Sequence, residues 1–204
     1  MRIRAICPYS FGSNTFLLIS GSHALVVDPS VSVQALSSVL SEEGAALEGI
    51  LLTHGHFDHT VSVDTVRDTF KVDLFVHEND AVMLTDGKKN GFYEFYGKEC
   101  VHGAPQRLLS DGDELMLGEE TVRVIHTPGH TKGSVCFHCG DFLVTGDTLF
   151  ADSVGRTDLF GGSHSELEVS LDRLRSLDGG LTIYPGHGNH APLSVALQNS
   201  LFYF

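Results

Sequence analysis

The chain has 204 residues, 42% of them hydrophobic, and a formal net charge of −13 at pH 7. This length and composition are typical of a globular protein, so we expect one domain over residues 1–204 rather than a disordered chain. Because so acidic a surface repels phosphate groups, we expect neither a nucleic-acid partner nor binding to an anionic membrane.

The two ends of the sequence bear on location and assembly. Residues 1–7 are typical of a first strand and lack the apolar core of a signal peptide, and no apolar run approaches the roughly 20 residues that span a bilayer. We therefore expect a cytoplasmic protein that acts on a small molecule. Residues 201–204 are apolar and either pack on the domain or contact a second subunit, so both a monomer and a homodimer stay open.

Short apolar runs, rich in β-branched and aromatic residues, predict nine strands. In chain order they cover residues 3–6, 15–19, 24–27, 50–52, 74–76, 122–125, 135–137, 142–144 and 181–183. Helical periodicity predicts helices around residues 33–40, 60–67 and 167–174, and a short one over 192–198. For the third helix, Ser163 and Glu166 fit a capping box, and Gly179 and Gly180 are expected to end it.

Two other segments stand out between these elements. Residues 85–105 are polar and aromatic without a clear period, which is typical either of a lid or substrate-shaping loop or of a packed insertion. Cys136 and Cys139 lie three residues apart on a predicted strand, so their side chains should point to opposite faces of a sheet. With no second cysteine pair for a zinc ribbon, we expect these two to be buried, reduced thiols.

The most informative motif follows the fourth predicted strand. Residues 54–59 read His-Gly-His-Phe-Asp-His, and histidines two apart beyond a strand end can converge on one metal while Asp58 and His59 face a neighbouring one. His130, Asp147 and His187 each follow a glycine beside an apolar strand. The two neighbouring sets of ligands predict two divalent ions. Imidazole and carboxylate ligands suit zinc best and also iron or manganese.

These motifs resemble those of the metallo-β-lactamase superfamily, and their order most resembles its glyoxalase II branch. The resemblance extends over nearly the whole chain and includes Val27-Asp28-Pro29, Pro128-Gly129-His130-Thr131 and Pro185-Gly186-His187-Gly188. It implies an α+β protein, a four-layer αββα sandwich with the site at one edge between two sheets. The first metal would be bound by His54, His56 and His130, the second by Asp58, His59 and His187, with Asp147 bridging both.

The function implied by this resemblance is that of a metal-dependent hydrolase. Such an enzyme would cleave a thioester of the hydroxyacylglutathione type with a hydroxide shared by the two ions, and Asp58 and Asp147 would be its catalytic residues. Asp28 and Thr148 are the candidate outer hydrogen-bond partners of the ligands, and Asp28 is alternatively expected to cap a turn before Pro29. The candidate substrate contacts are Lys132, Arg156, Tyr93 and Tyr96. Arg156 is alternatively expected to brace its own loop by pairing with Asp158.

Other functions remain open on the same scaffold. The alternatives are a mononuclear iron persulfide dioxygenase, a lactonase or phosphodiester hydrolase, and a metal-free binding module. Asp147 stands where the commonest zinc class of β-lactamases has a cysteine, which favours the hydrolase branch over β-lactam hydrolysis. Glyoxalase II recognises glutathione through basic residues of a C-terminal extension, whereas no lysine or arginine follows Arg175, so the acyl carrier stays open.

Overall fold

Runs of buried aliphatic residues form two six-stranded sheets in the computed structural model, which describes residues 1–6 and 12–203. The strands of the first sheet are β1 (Arg2–Ile6), β2 (Thr15–Ser20), β3 (His23–Val27), β4 (Ala46–Leu51), β5 (Asp73–His77) and β6 (Arg107–Leu109). The strands of the second are β7 (Glu114–Leu117), β8 (Glu120–His126), β9 (Val135–Cys139), β10 (Phe142–Gly146), β11 (Thr182–Pro185) and β12 (Ala191–Pro192).

The pairing of the strands differs between the two sheets. In the first sheet β1, β2 and β3 are antiparallel, whereas β3 to β6 run parallel. In the second sheet β7 to β10 form an antiparallel meander, β11 adds parallel to β10, and β12 adds antiparallel to β11. Parallel neighbours require crossover connections, and these connections carry the longer helices.

The helices are α1 (Val33–Glu43), α2 (Phe57–Thr60), α3 (Val63–Phe70), α4 (Ala81–Thr85), α5 (Phe92–Tyr96), α6 (His164–Arg175) and α7 (Leu193–Ser200), with short 3-10 turns at Glu78–Asp80 and Leu201–Tyr203. Helix α1 starts at Ser32, whose side chain accepts a hydrogen bond from the Ala35 N–H, and ends at Gly44 in the left-handed region. No helix in residues 1–6 and 12–203 has the length and hydropathy to cross a membrane.

Three hydrophobic clusters separate four layers. Helices α1 and α3 cover the first sheet through residues such as Leu36 and Val66, and Phe137 lies between the two sheets. Helices α6 and α7 cover the second sheet through residues such as Leu171 and Leu193. The α+β class and the four-layer αββα sandwich expected from the resemblance are therefore confirmed.

All nine predicted strands overlap observed strands, but β6, β7 and β12 were missed. These three strands are short and largely exposed, so they lack the continuous apolar run by which the other strands are recognised. Ser163 does cap α6 by accepting a hydrogen bond from the Glu166 N–H. The expected end at Gly179 and Gly180 is wrong, because α6 already ends at Arg175 with Ser176 as its C-cap.

The two segments singled out between the predicted elements have distinct surroundings. Cys136 packs among the residues under α6 and α7 and Cys139 packs between the sheets, which confirms that they face opposite sides. Burial raises the pKa of Cys136 to about 11 and that of Cys139 to about 12, so both thiols stay protonated and unreactive at neutral pH. Residues 85–105 contain α5 and are held by side-chain contacts such as that of the Asn90 amide with the Cys100 carbonyl.

Candidate metal centre

The seven predicted ligands follow the carboxyl ends of four strands and meet at one edge between the sheets. His54 and His56 follow β4, and Asp58 and His59 lie on α2 immediately afterwards. The remaining three follow β8, β10 and β11. The Gly186 N–H donates to the Gly146 carbonyl over 2.8 Å, which joins the loops of Asp147 and His187.

His54, His56 and His130 form a first group whose ligating atoms lie within 4.8 Å of one another. The Nε2 atom of His130 lies 2.8 Å from Nδ1 of His56 and 3.3 Å from Nε2 of His54. The rings of these histidines meet nearly edge to face, so that one nitrogen of each points to a common centre. All three side chains are buried.

Outer hydrogen bonds fix which nitrogen of His54 and His130 carries the proton. The hydroxyl of Thr53 donates to Oδ2 of Asp28 over 2.6 Å, so its oxygen accepts from Nδ1 of His54 at 3.1 Å. Nδ1 of His130 donates to the Arg156 carbonyl over 2.7 Å. Both Nε2 atoms therefore present bare lone pairs to each other, an arrangement that a shared cation would stabilise.

Asp58, His59 and His187 form a second group, also with ligating atoms within 4.8 Å of one another. Nε2 of His187 lies 3.1 Å from Oδ2 of Asp58. Nε2 of His59 lies 3.3 Å from Oδ1 of Asp147, and neither of these two buried atoms has a hydrogen-bond partner. Unsatisfied buried polar atoms are costly, so their convergence fits a binding site for a cation.

Asp147 lies between the two groups. Its Oδ2 atom is 3.7 Å from Nε2 of His130 in the first group and 3.6 Å from Nε2 of His187 in the second. A single carboxylate oxygen is therefore near ligands of both groups, as the bridging position requires. The whole set consists of imidazole nitrogens and carboxylate oxygens, which suits divalent zinc, iron and manganese.

Burial and mutual charge set the protonation of His54 and His56 in the first group. Burial lowers the pKa of His54 well below its usual value and that of His56 to about 3, and the neighbouring histidines add to both effects. These rings are therefore neutral at physiological pH, which is the protonation state that binds a metal.

The second group is charged differently because its carboxylates dominate. Burial alone would lower the pKa of His59, but Asp147, Asp58 and Asp28 outweigh it and raise this pKa. Burial alone would also raise the pKa of Asp147, yet the adjacent His59 lowers it well below its usual range. The carboxylate is thus ionised, and a cation bound here would displace a proton from His59.

Two outer-shell residues were predicted, and the structure supports one of them. Asp28 accepts from Nδ1 of His59 at 2.8 Å and so fixes the orientation of that ring. Thr148 is a wrong prediction, because its hydroxyl bonds to that of Thr127 at 2.8 Å instead of to a ligand. Asn14 makes a contact that was not predicted. Its side-chain amide donates to the Pro185 and Gly188 carbonyls on either side of His187.

A cavity of about 210 Å³ opens beside the two groups. Its apolar wall is formed by Phe57, Phe95 and Leu159, while Asn90 and Arg156 are its polar residues outside the ligand set. A wider, more open cleft of about 590 Å³ lies at the loop after β2, but none of the seven predicted ligands lines it and it has no metal-binding cluster among the described residues. The smaller cavity is the one that places a ligand against reactive groups.

Only one of the four candidate substrate contacts lines this cavity. Arg156 lies at its wall and also pairs with Asp158 through two contacts of 2.7 and 2.8 Å, as the alternative role predicted. Lys132 is solvent-exposed and, like the two tyrosines, lies outside the cavity wall. Tyr93 lies under the Lys88 ammonium, and Tyr96 packs on Phe57, because the turn of α5 directs Phe95 rather than its neighbours to the cavity.

Comparisons with known proteins agree with this geometry. The chain is 33% identical over 179 residues to the probable metallo-hydrolase YqgX of Bacillus subtilis, covering 86% of this chain and 85% of that protein. It superposes on the BLEG-1 B3 metallo-beta-lactamase with a TM-score of 0.90 and 33% identity, over 98% of this chain and 99% of that one. It also superposes on TTHA1623 in a di-iron-bound form with a TM-score of 0.86 and 29% identity, over 98% and 99% of the two chains.

The sequence profile of the Metallo-beta-lactamase superfamily matches residues 9–187, a span that contains all seven clustered histidines and aspartates. Sheet order, layer order and the position of the cluster at the strand ends agree with that match. The chain is a metallo-hydrolase that belongs to the metallo-β-lactamase superfamily.

Proposed function

We propose that the chain is a binuclear hydrolase that cleaves a thioester of the hydroxyacylglutathione type. The observation that carries the proposal is the position of Asp147, whose Oδ2 atom lies within 3.7 Å of ligand nitrogens in both groups. A carboxylate shared between two ligand sets favours a pair of ions over a single one, and paired ions are typical of enzymes that hydrolyse acyl and phosphoryl bonds.

Two divalent ions bound there would lower the pKa of water and polarise the acyl carbonyl, which are the two requirements of hydrolysis at neutral pH. Asp58 would orient the attacking water. Burial alone would raise the pKa of Asp58, but His59 and the hydrogen bond from His187 lower it, so its carboxylate is ionised and would accept a hydrogen bond from the water. Its partly exposed side chain lines the cavity, within reach of a bound substrate.

The cavity supports a substrate with both an apolar and a polar part. Phe57, Phe95 and Leu159 would contact an apolar portion of the acyl group or of its carrier. Arg156 and Asn90 would contact an anionic or amide group of the carrier, although the charge of Arg156 is partly balanced by Asp158. We propose a small-molecule substrate on these grounds, and zinc as the first metal to test, with iron second because TTHA1623 is known in a di-iron-bound form.

A second candidate function is hydrolysis of a β-lactam amide. It is favoured by the similarity to the BLEG-1 B3 metallo-beta-lactamase at 33% identity over nearly the full length of both chains. Asp147 in place of a cysteine separates this chain from the cysteine-containing class only, and so does not exclude β-lactams as substrates. Both candidates use the same attack on an acyl carbon and differ in the leaving group.

The test is an activity panel on purified protein whose zinc, iron and manganese content has been measured. We expect two metal ions per chain and cleavage of a hydroxyacylglutathione thioester, and we expect Asp147→Asn to lose at least one ion and all turnover. Asp73→Asn is the matched control, because that carboxylate pairs with Arg107 at the surface and belongs neither to the cavity wall nor to the ligand groups. Cephalosporin hydrolysis without thioester cleavage would favour the second candidate. One iron per chain with oxygen uptake on a persulfide would overturn both.

A further inference from the structure

A buried carboxylate outside the ligand set joins the two loops that carry the first group of histidines. Asp80 ends the 3-10 turn after β5 and is fully buried. Its Oδ2 atom accepts hydrogen bonds from the Gly55 N–H at 3.0 Å and from the Thr131 hydroxyl at 2.7 Å. Its Oδ1 atom accepts from the Gly133 N–H at 2.7 Å. Gly55 lies between two ligands of one loop, and Thr131 directly follows His130 in the other.

The glycines of both loops are needed for this close approach. A Cβ atom on Gly133 would lie 2.6 Å from Cγ of Asp80, and one on Gly55 would lie 2.6 Å from Cβ of Met83 and 3.2 Å from the Asp80 carbonyl oxygen. The φ of Gly55 is not positive, so its glycine is required by packing against residues 80–83 rather than by a special turn. Each loop is therefore shaped to admit the Asp80 segment.

The chemistry of this contact requires a carboxylate rather than an amide. Three donors converge on two acceptor oxygens, and an asparagine would offer only one oxygen while its NH₂ group faced a backbone N–H. In the described part of the chain, no lysine or arginine pairs with Asp80. A buried charge without such a partner is costly, and its energetic cost is balanced here by hydrogen bonds to the two ligand loops.

We infer that Asp80 is a positioning residue that holds His56 and His130 at the separation a metal ion requires. This inference rests on the proposed metal site but not on the proposed substrate. Because the link between the loops already restricts the three imidazoles in the metal-free protein, they lose less conformational freedom when an ion binds. The first group therefore binds a metal ion more tightly.

The test compares metal binding by the wild-type chain and the Asp80→Asn variant. Chelator-treated protein is titrated with Co²⁺ by visible absorption, in competition with a chelator of known affinity, and thermal unfolding of the metal-free forms is followed in parallel. We expect one binding step to weaken by about 10–100-fold, the range typical for loss of an outer-sphere partner, while a second step changes by less than about threefold.

Asp64→Asn is the matched control. Asp64 also accepts from three donors, namely Nη2 of Arg67 at 2.6 Å, Nδ1 of His102 at 3.0 Å and the Gly103 N–H at 3.1 Å. These contacts tie a loop to α3 in the same way, but that loop carries no ligand. We expect this variant to lower the thermal unfolding temperature while the Co²⁺ affinities stay within about twofold of wild type.

Wild-type Co²⁺ affinity in a folded Asp80→Asn variant would overturn the inference, and so would an equal loss in Asp64→Asn. If Asp80→Asn does not fold, Thr131→Val removes the hydroxyl bond to Oδ2 of Asp80 and the contact of the same hydroxyl with that of Ser134 at 2.7 Å, and keeps the other two bonds to Asp80. We expect this variant to lose about threefold to tenfold in Co²⁺ affinity. Unchanged affinity in that variant would then reject the inference. A chain that binds two Co²⁺ ions but hydrolyses no thioester would reject the proposed substrate alone.

Discussion

Oδ2 of Asp28 lies 2.8 Å from Nδ1 of His59. The same carboxylate accepts from the Thr53 N–H and the Thr53 hydroxyl, and Thr53 in turn contacts His54. One buried aspartate thereby orients a histidine of each metal group. Asp28 itself has a φ of 49°, in the left-handed region that asparagine and aspartate tolerate better than most residues.

Replacing Asp28 by asparagine should weaken both metal sites. Asn fits the left-handed backbone, so the loop should stay intact, but it offers one acceptor oxygen to three donors. Its NH₂ group would face either the Thr53 N–H or both His59 and the Thr53 hydroxyl. We expect about a 10–100-fold loss of metal affinity, measured by chelator competition, and a matching loss of hydrolytic activity at limiting metal. Asp73→Asn, which removes an exposed pair with Arg107, is the control. Equal metal content in both variants after dialysis would contradict the prediction.

Replacing Asp147, the proposed bridging ligand, should weaken metal binding and activity more than replacing Asp28. Asp147→Asn leaves a neutral amide between the two groups, and the charge that balances His59 and two cations is lost. We expect loss of at least one metal ion per chain by elemental analysis and no detectable turnover. Full metal content with normal activity would remove the two-metal scheme, whereas one retained ion with activity would point to a mononuclear enzyme.

Phe95 in the wall of the cavity should contribute to substrate affinity. Truncating Phe95 to alanine removes an apolar wall without touching a ligand, so KM for an aromatic or aliphatic acyl substrate should rise about fivefold to thirtyfold, equivalent to about 1–2 kcal/mol. The value of kcat should change little. Tyr93→Ala removes a neighbouring ring of α5 that lies outside the cavity wall, and its KM should stay near wild type. A larger effect in Tyr93→Ala would mean that the tyrosines contact the substrate after all.

The sequence was sufficient to predict that these seven residues lie together, because the signal is local. His54, His56, Asp58 and His59 occupy one turn after one strand, and the later histidines and Asp147 each follow a strand that periodicity also predicts. The surrounding side chains could not be found in this way. Asp80 lies 25 residues from Gly55 and 53 from Gly133 in the sequence, and nothing in its local pattern indicates that it contacts either.

The wall of the cavity was equally hard to predict. Tyr93 and Tyr96 were named as candidate contacts within an aromatic stretch, but which ring of a five-residue helix faces a cavity depends on the placement of that helix. Two alternative roles were predicted for Arg156, a contact with substrate and a pair with Asp158, and its position is compatible with both, since its side chain pairs with Asp158 and lines the cavity. Its carbonyl also accepts a hydrogen bond from His130, which was not predicted.

Stability should depend on pH through His77, which lies at the end of β5 and stacks on His126 with ring centroids 4.1 Å apart. Burial, reinforced by His126, lowers the pKa of His77 from 6.5 to about 4, although Glu78, Asp111 and Asp113 oppose the shift. Between these values the unfolded chain binds a proton at His77 that the folded chain does not. The contribution of His77 to stability is therefore present above about pH 6.5 and is lost as the pH falls towards 4.

The His77→Phe variant isolates this effect, because it keeps a ring against His126 but cannot be protonated. At pH 8 the variant should be the less stable protein, since it loses the acceptor for the Asn79 N–H. The difference in unfolding free energy between wild type and variant should shrink by about 1–2 kcal/mol when urea denaturation is repeated at pH 5. His23→Phe serves as the control, because His23 is a partly exposed histidine at the start of β3 that pairs with Glu48. A difference for His77→Phe that stays constant from pH 8 to pH 5 would show that His77 is protonated equally in both states.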